Sequence, residues 1–219
     1  VFDNNCPSLL PKQPVQKLVV FLHGYGSNGD DLLEIGKIWQ PYLPNTAFYS
    51  PNALEVSEFN PFGGYQWFGL KDLEPFNVRP GLDKHQKHIY QSIKKLLTDH
   101  KLLPSDLILV GFSQGTMVAL DVMFSIPNLG GIIGYCGAFY PPNGVEKIIA
   151  PPPVLLVHGT ADTVVPHVMM NHSKQQLLKM GVNVTAHTIK NLGHGLDDEA
   201  LNIGLEFIKY QQQNQPIAL

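Results

Sequence analysis

The sequence predicts an α/β fold, a mostly parallel sheet with helices on both faces. Two observations carry this. Short apolar runs rich in Val, Ile and Leu alternate with helical periodicities from start to finish, the order that gives a parallel sheet wrapped by helices. Several of the runs, residues 18–22 and 107–110 among them, are also apolar at every position, as strands covered on both faces are. The 219 residues are long enough to close a substantial core and read as one domain over 1–219, with 1–16 an irregular N-terminal segment.

The elements follow in order. Lys17–Leu22 is a buried strand ending at His23-Gly24. After a glycine-rich turn, residues 30–43 have helical spacing in Leu32, Leu33, Ile35 and Ile38, and Pro41 and Pro44 end the run. Residues 47–50 form a short strand stopped by Pro51. Residues 51–82 have no clear period and are rich in aromatics, Gly and Pro; a loop of that length in a compact domain is usually functional. Ile89, Ile93, Leu96 and Leu97 give an amphipathic helix over 83–100. Leu107–Phe112 is a strand that runs at once into a helix reaching about Phe124. Gly131–Tyr135 and residues 154–158 are two more strands, connected through the stiff Pro151-Pro152-Pro153. A helix over 169–180 with Gly181 as its cap, a β-branched strand over 182–189 and a closing helix over 197–210 complete the chain.

Composition excludes several functions. A net charge of -3 with no Lys/Arg block gives no surface for nucleic acid. No stretch approaches the roughly twenty apolar residues of a membrane span, so stable membrane insertion is not expected. No basic region followed by an apolar stretch opens the chain, and a cytoplasmic protein is expected, as monomer or homodimer. Two cysteines are too few for a disulfide framework; Cys136, in an apolar run, reads as a small core residue.

Gly111-Phe112-Ser113-Gln114-Gly115 is G-x-S-x-G between a strand and a helix. That is the setting of a nucleophile elbow, in which the serine sits on a sharp, strained turn and the glycines avoid clashes with the neighbouring elements. The competing reading is a small-residue turn with Ser113 as N-cap of the helix. A serine hydroxyl needs a base to take its proton, and on this architecture the chain order is Ser, acid, His. Asp162 follows the strand over 154–158, and His194 follows the strand over 182–189. In a parallel sheet these loops gather at one edge, where ligand sites form. Asp162 as a turn former and His194 as a polar loop residue are the bland alternatives. Correct order and a common edge favour Ser113, Asp162 and His194 as a catalytic triad. The backbone N–H of Gln114, the residue after the nucleophile, is then one oxyanion-hole donor.

These residues resemble the carboxylesterase/phospholipase family of α/β-hydrolases, which includes acyl-protein thioesterases and lysophospholipases. The likeness rests on Phe21-Leu22-His23-Gly24-Tyr25-Gly26, Trp67-Phe68, the Ser113 pentapeptide, the run from His158-Gly159-Thr160-Ala161-Asp162 to Pro166, and Gly193-His194. It implies an α/β-hydrolase fold without a large cap domain, and a serine hydrolase cleaving carboxylic esters or thioesters through an acyl-enzyme, with no metal or organic cofactor. It also implies the Tyr25 backbone N–H as second oxyanion donor. Substrates would be a small-molecule ester, a lysophospholipid or an acylated protein. Trp67, Phe68, Leu70 and Val165 are the expected substrate-binding residues, with a medium-chain acyl group preferred, although the aromatics of 51–82 could equally be core covering the sheet edge. Thr116 stands where many relatives have a small residue, and Tyr25 where leucine is frequent. A peptidase or amidase of the same fold and a non-catalytic binding protein are the alternatives.

Two decoys fall away on the sequence. Residues Gly24-Tyr25-Gly26-Ser27-Asn28-Gly29 match a dinucleotide-binding G-x-G-x-x-G, but no acid closes the next strand to hold a ribose. His85 and His88 lie three apart on a helix with no third ligand of suitable spacing. His23 reads as structural, and His187, inside a strand, is a poorer base than His194.

Overall fold

A computed structural model describes residues 6–60, 62–70 and 78–213. Seven strands form one sheet: β1 (Ser8–Leu9), β2 (Lys17–Leu22), β3 (Thr46–Tyr49), β6 (Leu107–Phe112), β7 (Gly131–Tyr135), β8 (Val154–Gly159) and β9 (Val184–Ile189). Their spatial order is β1-β3-β2-β6-β7-β8-β9. All pair in parallel except β1, which runs antiparallel to β3. The expected parallel sheet is therefore the observed one. The N-terminal segment expected to be irregular contributes an edge strand, too short to have left a pattern.

Helices cover both faces. On one, α1 (Gly29–Trp39) and α5 (Asp198–Gln213) bury Leu32, Leu33, Trp39, Ala200, Leu205 and Ile208 against alternate residues of the sheet such as Val19, Phe21 and Val110. On the other, α2 (Arg79–His100), α3 (Gln114–Val122) and α4 (Val168–Lys179) pack Ile89, Ile93, Val118, Met170 and Leu177 over Leu18, Val20 and Leu109. Neighbouring positions on one strand thus feed opposite cores, which is why the central strands β2, β6, β7 and β8 are largely apolar without alternation.

Three boundaries differ from expectation. Helix α2 starts four residues early, at Arg79, because Pro80 is admissible in a first turn, where its missing N–H costs nothing. Helix α1 ends at Trp39, and a short 3₁₀ turn, Gln40–Tyr42, accommodates Pro41. Within the aperiodic stretch after β3, a two-stranded hairpin forms from β4 (Glu55–Val56) and β5 (Tyr65–Gln66).

The strand order places a switch at the centre of the sheet. From β2 the chain moves outward to β3, whereas β6 leads to β7, β8 and β9 on the other side. Beyond the carboxyl ends of two such neighbouring strands lies a crevice, the ordinary ligand position of an open α/β sheet.

Candidate active site

Ser113 occupies the corner between β6 and α3 with φ 54° and ψ -115°, a conformation that L-residues rarely adopt. The two flanking glycines are steric necessities. A Cβ on Gly115 would lie 1.8 Å from the Leu22 carbonyl oxygen, and one on Gly111 would lie 2.4 Å from the Gly115 carbonyl oxygen. The Ser113 N–H donates to the Tyr135 carbonyl at 2.9 Å. The Thr116 hydroxyl, 2.8 Å from both the Gly111 and Tyr135 carbonyls, ties the start of α3 to β6 and β7. The unusual threonine is thus part of the corner's anchoring.

The two loops carrying Asp162 and His194 are joined to each other. Thr160 N–H donates to the Ile189 carbonyl and Ala161 N–H to the Leu192 carbonyl, each at 2.9 Å. Asn191 N–H donates to the Thr160 hydroxyl at 2.8 Å. Gly159 permits this closeness, since a Cβ there would meet the Leu192 carbonyl oxygen at 2.1 Å.

The result is a 2.8 Å hydrogen bond between His194 Nδ1 and Asp162 Oδ2. A carboxylate can only accept, so Nδ1 carries the proton and Nε2 is left as the base. The other carboxylate oxygen, Oδ1, accepts the N–H groups of Val164 and Val165, both at 2.9 Å. Burial acts to raise the Asp162 carboxyl, but His194 and these two N–H groups outweigh it and hold the group below the ordinary carboxylate range. Asp162 is an anion saturated with donors.

Ser113, His194, Tyr25 and Gln114 line one cleft of ≈ 400 Å³, with the Phe112 ring 5.0 Å from the His194 ring. Among the described residues, no acceptor is bonded to the backbone N–H of Tyr25 or Gln114. Apolar walls come from Leu70, Val78, Met117, Tyr140, Val165 and Met169. A second cavity of ≈ 470 Å³ adjoins it and shares Tyr140 and Met169 as lining.

Of the four expected substrate-binding residues, Leu70 and Val165 line the cleft and Trp67 and Phe68 do not. That expectation is corrected: Trp67 is 3% and Phe68 1% exposed, inside the core beneath the site. Their backbone is gripped by the Gln114 side chain, whose Oε1 accepts Trp67 N–H at 2.9 Å and whose Nε2 donates to the Phe68 carbonyl at 2.8 Å. The Trp67 indole N–H donates to the His23 carbonyl at 2.8 Å, just before the Tyr25 turn. This pair therefore braces the segments that carry the two candidate oxyanion donors. Phe59 and Phe62 of the same segment are exposed, Phe62 at 98%. Residues 71–77 lie outside the described residues.

Sequence reading missed Val78, Met117, Tyr140, Val164, Pro166 and Met169 as lining, because they come from four separate segments with no common pattern. It also passed over His158, which approaches Asp162 from below.

Three other histidines lie away from the triad. His23 is buried, with Nδ1–H donated to the Gly24 carbonyl and Nε2 accepting Ala53 N–H. His187 is exposed on β9. His85 pairs with Glu55 at 3.0 Å. Ligand atoms of Cys136, Asp162 and His194 lie within 4.8 Å of one another. In this grouping the Cys136 thiol donates to the Gly195 carbonyl, and burial pushes it up to about 11, so it is a neutral hydrogen-bonding group.

The chain matches the phospholipase/carboxylesterase family over residues 7–212. It is 25% identical over 201 residues to the esterase YpfH of Escherichia coli, covering 91% of this chain and 85% of that protein. It is 29% identical over 204 residues to acyl-protein thioesterase 1 homolog 1 of Dictyostelium discoideum, covering 87% and 88%. The crystal structure of esterase PE8 superimposes with a TM-score of 0.88 at 35% identity, covering 94% of this chain and 97% of that one.

Proposed function

The chain belongs to the phospholipase/carboxylesterase family, hydrolases of the carboxylesterase and thioesterase type, and on that footing we propose that it cleaves esters or thioesters with Ser113, His194 and Asp162 as its catalytic triad. The observation that carries the reading is the donor-saturated Asp162 bonded to His194 at the mouth of the cleft that Ser113 lines.

In this mechanism His194 Nε2 takes the Ser113 proton as the hydroxyl oxygen attacks the acyl carbon. The negative oxygen of the tetrahedral intermediate is met by the backbone N–H groups of Tyr25 and Gln114, which need no reorganisation. Asp162 stabilises the imidazolium that forms. The leaving alcohol or thiol receives the proton from His194, and water hydrolyses the acyl-enzyme by the same route.

The apolar walls and the adjoining cavity support a medium-chain acyl group in preference to acetyl. Candidate donors are a small-molecule ester, a lysophospholipid or an acylated protein.

A chromogenic ester series from acetyl to long-chain acyl, run with the matching thioesters and amides, tests this. Turnover should peak at medium chain length, and Ser113→Ala should lower kcat by about 10⁴-fold or more. A Ser113→Ala protein that keeps most of its activity overturns the triad. An optimum at acetyl overturns the acyl groove, and amides cleaved in preference to esters mark a peptidase.

A further inference from the structure

Asp162 has a second histidine against it. The His158 side chain, on β8 and only 1% exposed, brings Nε2 to 2.8 Å from the Val165 carbonyl oxygen and 3.1 Å from Asp162 Oδ2. A carbonyl oxygen cannot donate, so His158 Nε2 carries a proton and donates it to Val165, with the carboxylate as a close second neighbour of the same N–H edge. Burial lowers the His158 pKa below the ordinary value, outweighing the Val165 carbonyl and the Asp162 charge, which keeps the ring in its neutral form.

Resting on the triad reading, we propose that His158 is a positioning residue that sets the orientation and the effective charge of Asp162, and through it the basicity of His194. The two contacts do separate work. The bond to Val165 fixes the turn whose Val164 and Val165 N–H groups hold Asp162 Oδ1. The approach to Oδ2 sets the positive N–H edge of the ring beside the same oxygen that accepts His194 Nδ1–H. Charge drawn toward His158 is not available to the imidazolium of His194, so His194 is held a weaker base than an unshared carboxylate would make it. The triad then keeps its neutral base further into acid.

Two other titratable groups face this cluster. The Cys136 thiol, just after β7, also meets the Asp162 carboxylate, but it is a weak donor, stays protonated and bonds the Gly195 carbonyl. His167, just before α4, meets the His158 ring edge-on at 5.8 Å and is itself bonded to the Thr188 hydroxyl at 3.0 Å.

The test compares the pH dependence of kcat/KM in His158→Phe, which keeps a ring without a donor, and His158→Gln, which restores an N–H. The phenylalanine variant should move the acid limb upward by about half a pH unit or more, and the glutamine variant should return it to within about 0.2 unit of wild type. An acid limb that stays in place while kcat falls, or that moves equally in both variants, overturns the proposal. Should His158→Phe not fold, imidazole ¹⁵N NMR on the unsubstituted enzyme decides. His158 should be an Nε2–H tautomer whose resonance shifts as His194 titrates, and a resonance that stays fixed overturns the coupling. This measurement needs no turnover, so an inactive enzyme, which would sink the hydrolase reading, is distinguishable from failure of this one.

Discussion

Ser113 is held at φ 54° without being glycine, and the cost of such a conformation is of order 1–3 kcal/mol. The strain places its hydroxyl at the cleft, so relieving it should trade activity for stability. Ser113→Gly and Ser113→Ala both remove the hydroxyl, but only glycine removes the Cβ. The glycine variant should therefore melt above the alanine variant, by about 0.5–2 kcal/mol after the extra freedom of glycine in the unfolded chain is subtracted. Equal melting temperatures would contradict a strained corner. A second effect at this scale involves protons. Burial lowers the pKa of both His23 and His158 below that of a free histidine. Between the ordinary value and the depressed one the unfolded chain binds more protons, so stability is full above about pH 6.5 and falls as pH drops below it. Each ring adds a slope of up to about 1.4 kcal/mol per pH unit. Urea unfolding at pH 7.5 and 5.5 should give a clearly smaller free energy at 5.5; equal values would mean that neither histidine is held neutral.

Between elements, the firmest polar link is buried. Arg79 at the start of α2 donates from Nη1 to Asp121 of α3 at 2.6 Å and to the Tyr140 carbonyl at 3.1 Å, while its Nε reaches Asp83 at 2.8 Å. Burial raises the Asp121 carboxyl despite the guanidinium beside it. Removing Asp121 leaves the buried guanidinium with only the exposed Asp83 as counter-charge among the described residues, so Asp121→Leu should cost up to about 3–5 kcal/mol in urea unfolding, and Arg79→Met with Asp121→Leu should recover much of it. A single-variant loss under about 1 kcal/mol would mean that water already reaches the pair. This link was invisible in the sequence because Arg79 falls in the stretch 51–82, which has no clear period, although Pro80 suits a first helical turn. The strands were legible for the opposite reason. Leu18 to Leu22 and Leu107 to Val110 are apolar at every position, a pattern that only a doubly covered strand produces.

For the molecule as a whole, what the sequence made legible was the edge of the sheet where Ser113, Asp162 and His194 gather, since each lies in the turn or loop after the carboxyl end of a parallel strand. The cleft walls were not, because Met117, Tyr140 and Met169 meet only after three strands and two helices are in position. Trp67 and Phe68 misled for a related reason. Aromatic residues in a long loop near a site look like substrate contacts, and nothing in their spacing reveals that Gln114 draws their backbone inward. The measurement that tests the central claim most directly is covalent labelling with a fluorophosphonate, followed by mass spectrometry of the digested protein. The account predicts one adduct, on Ser113, formed rapidly by wild type and sharply slowed in His194→Ala, because only a serine next to a working base attacks phosphorus readily. Labelling at another residue, or labelling of Ser113 that is indifferent to His194, would contradict it.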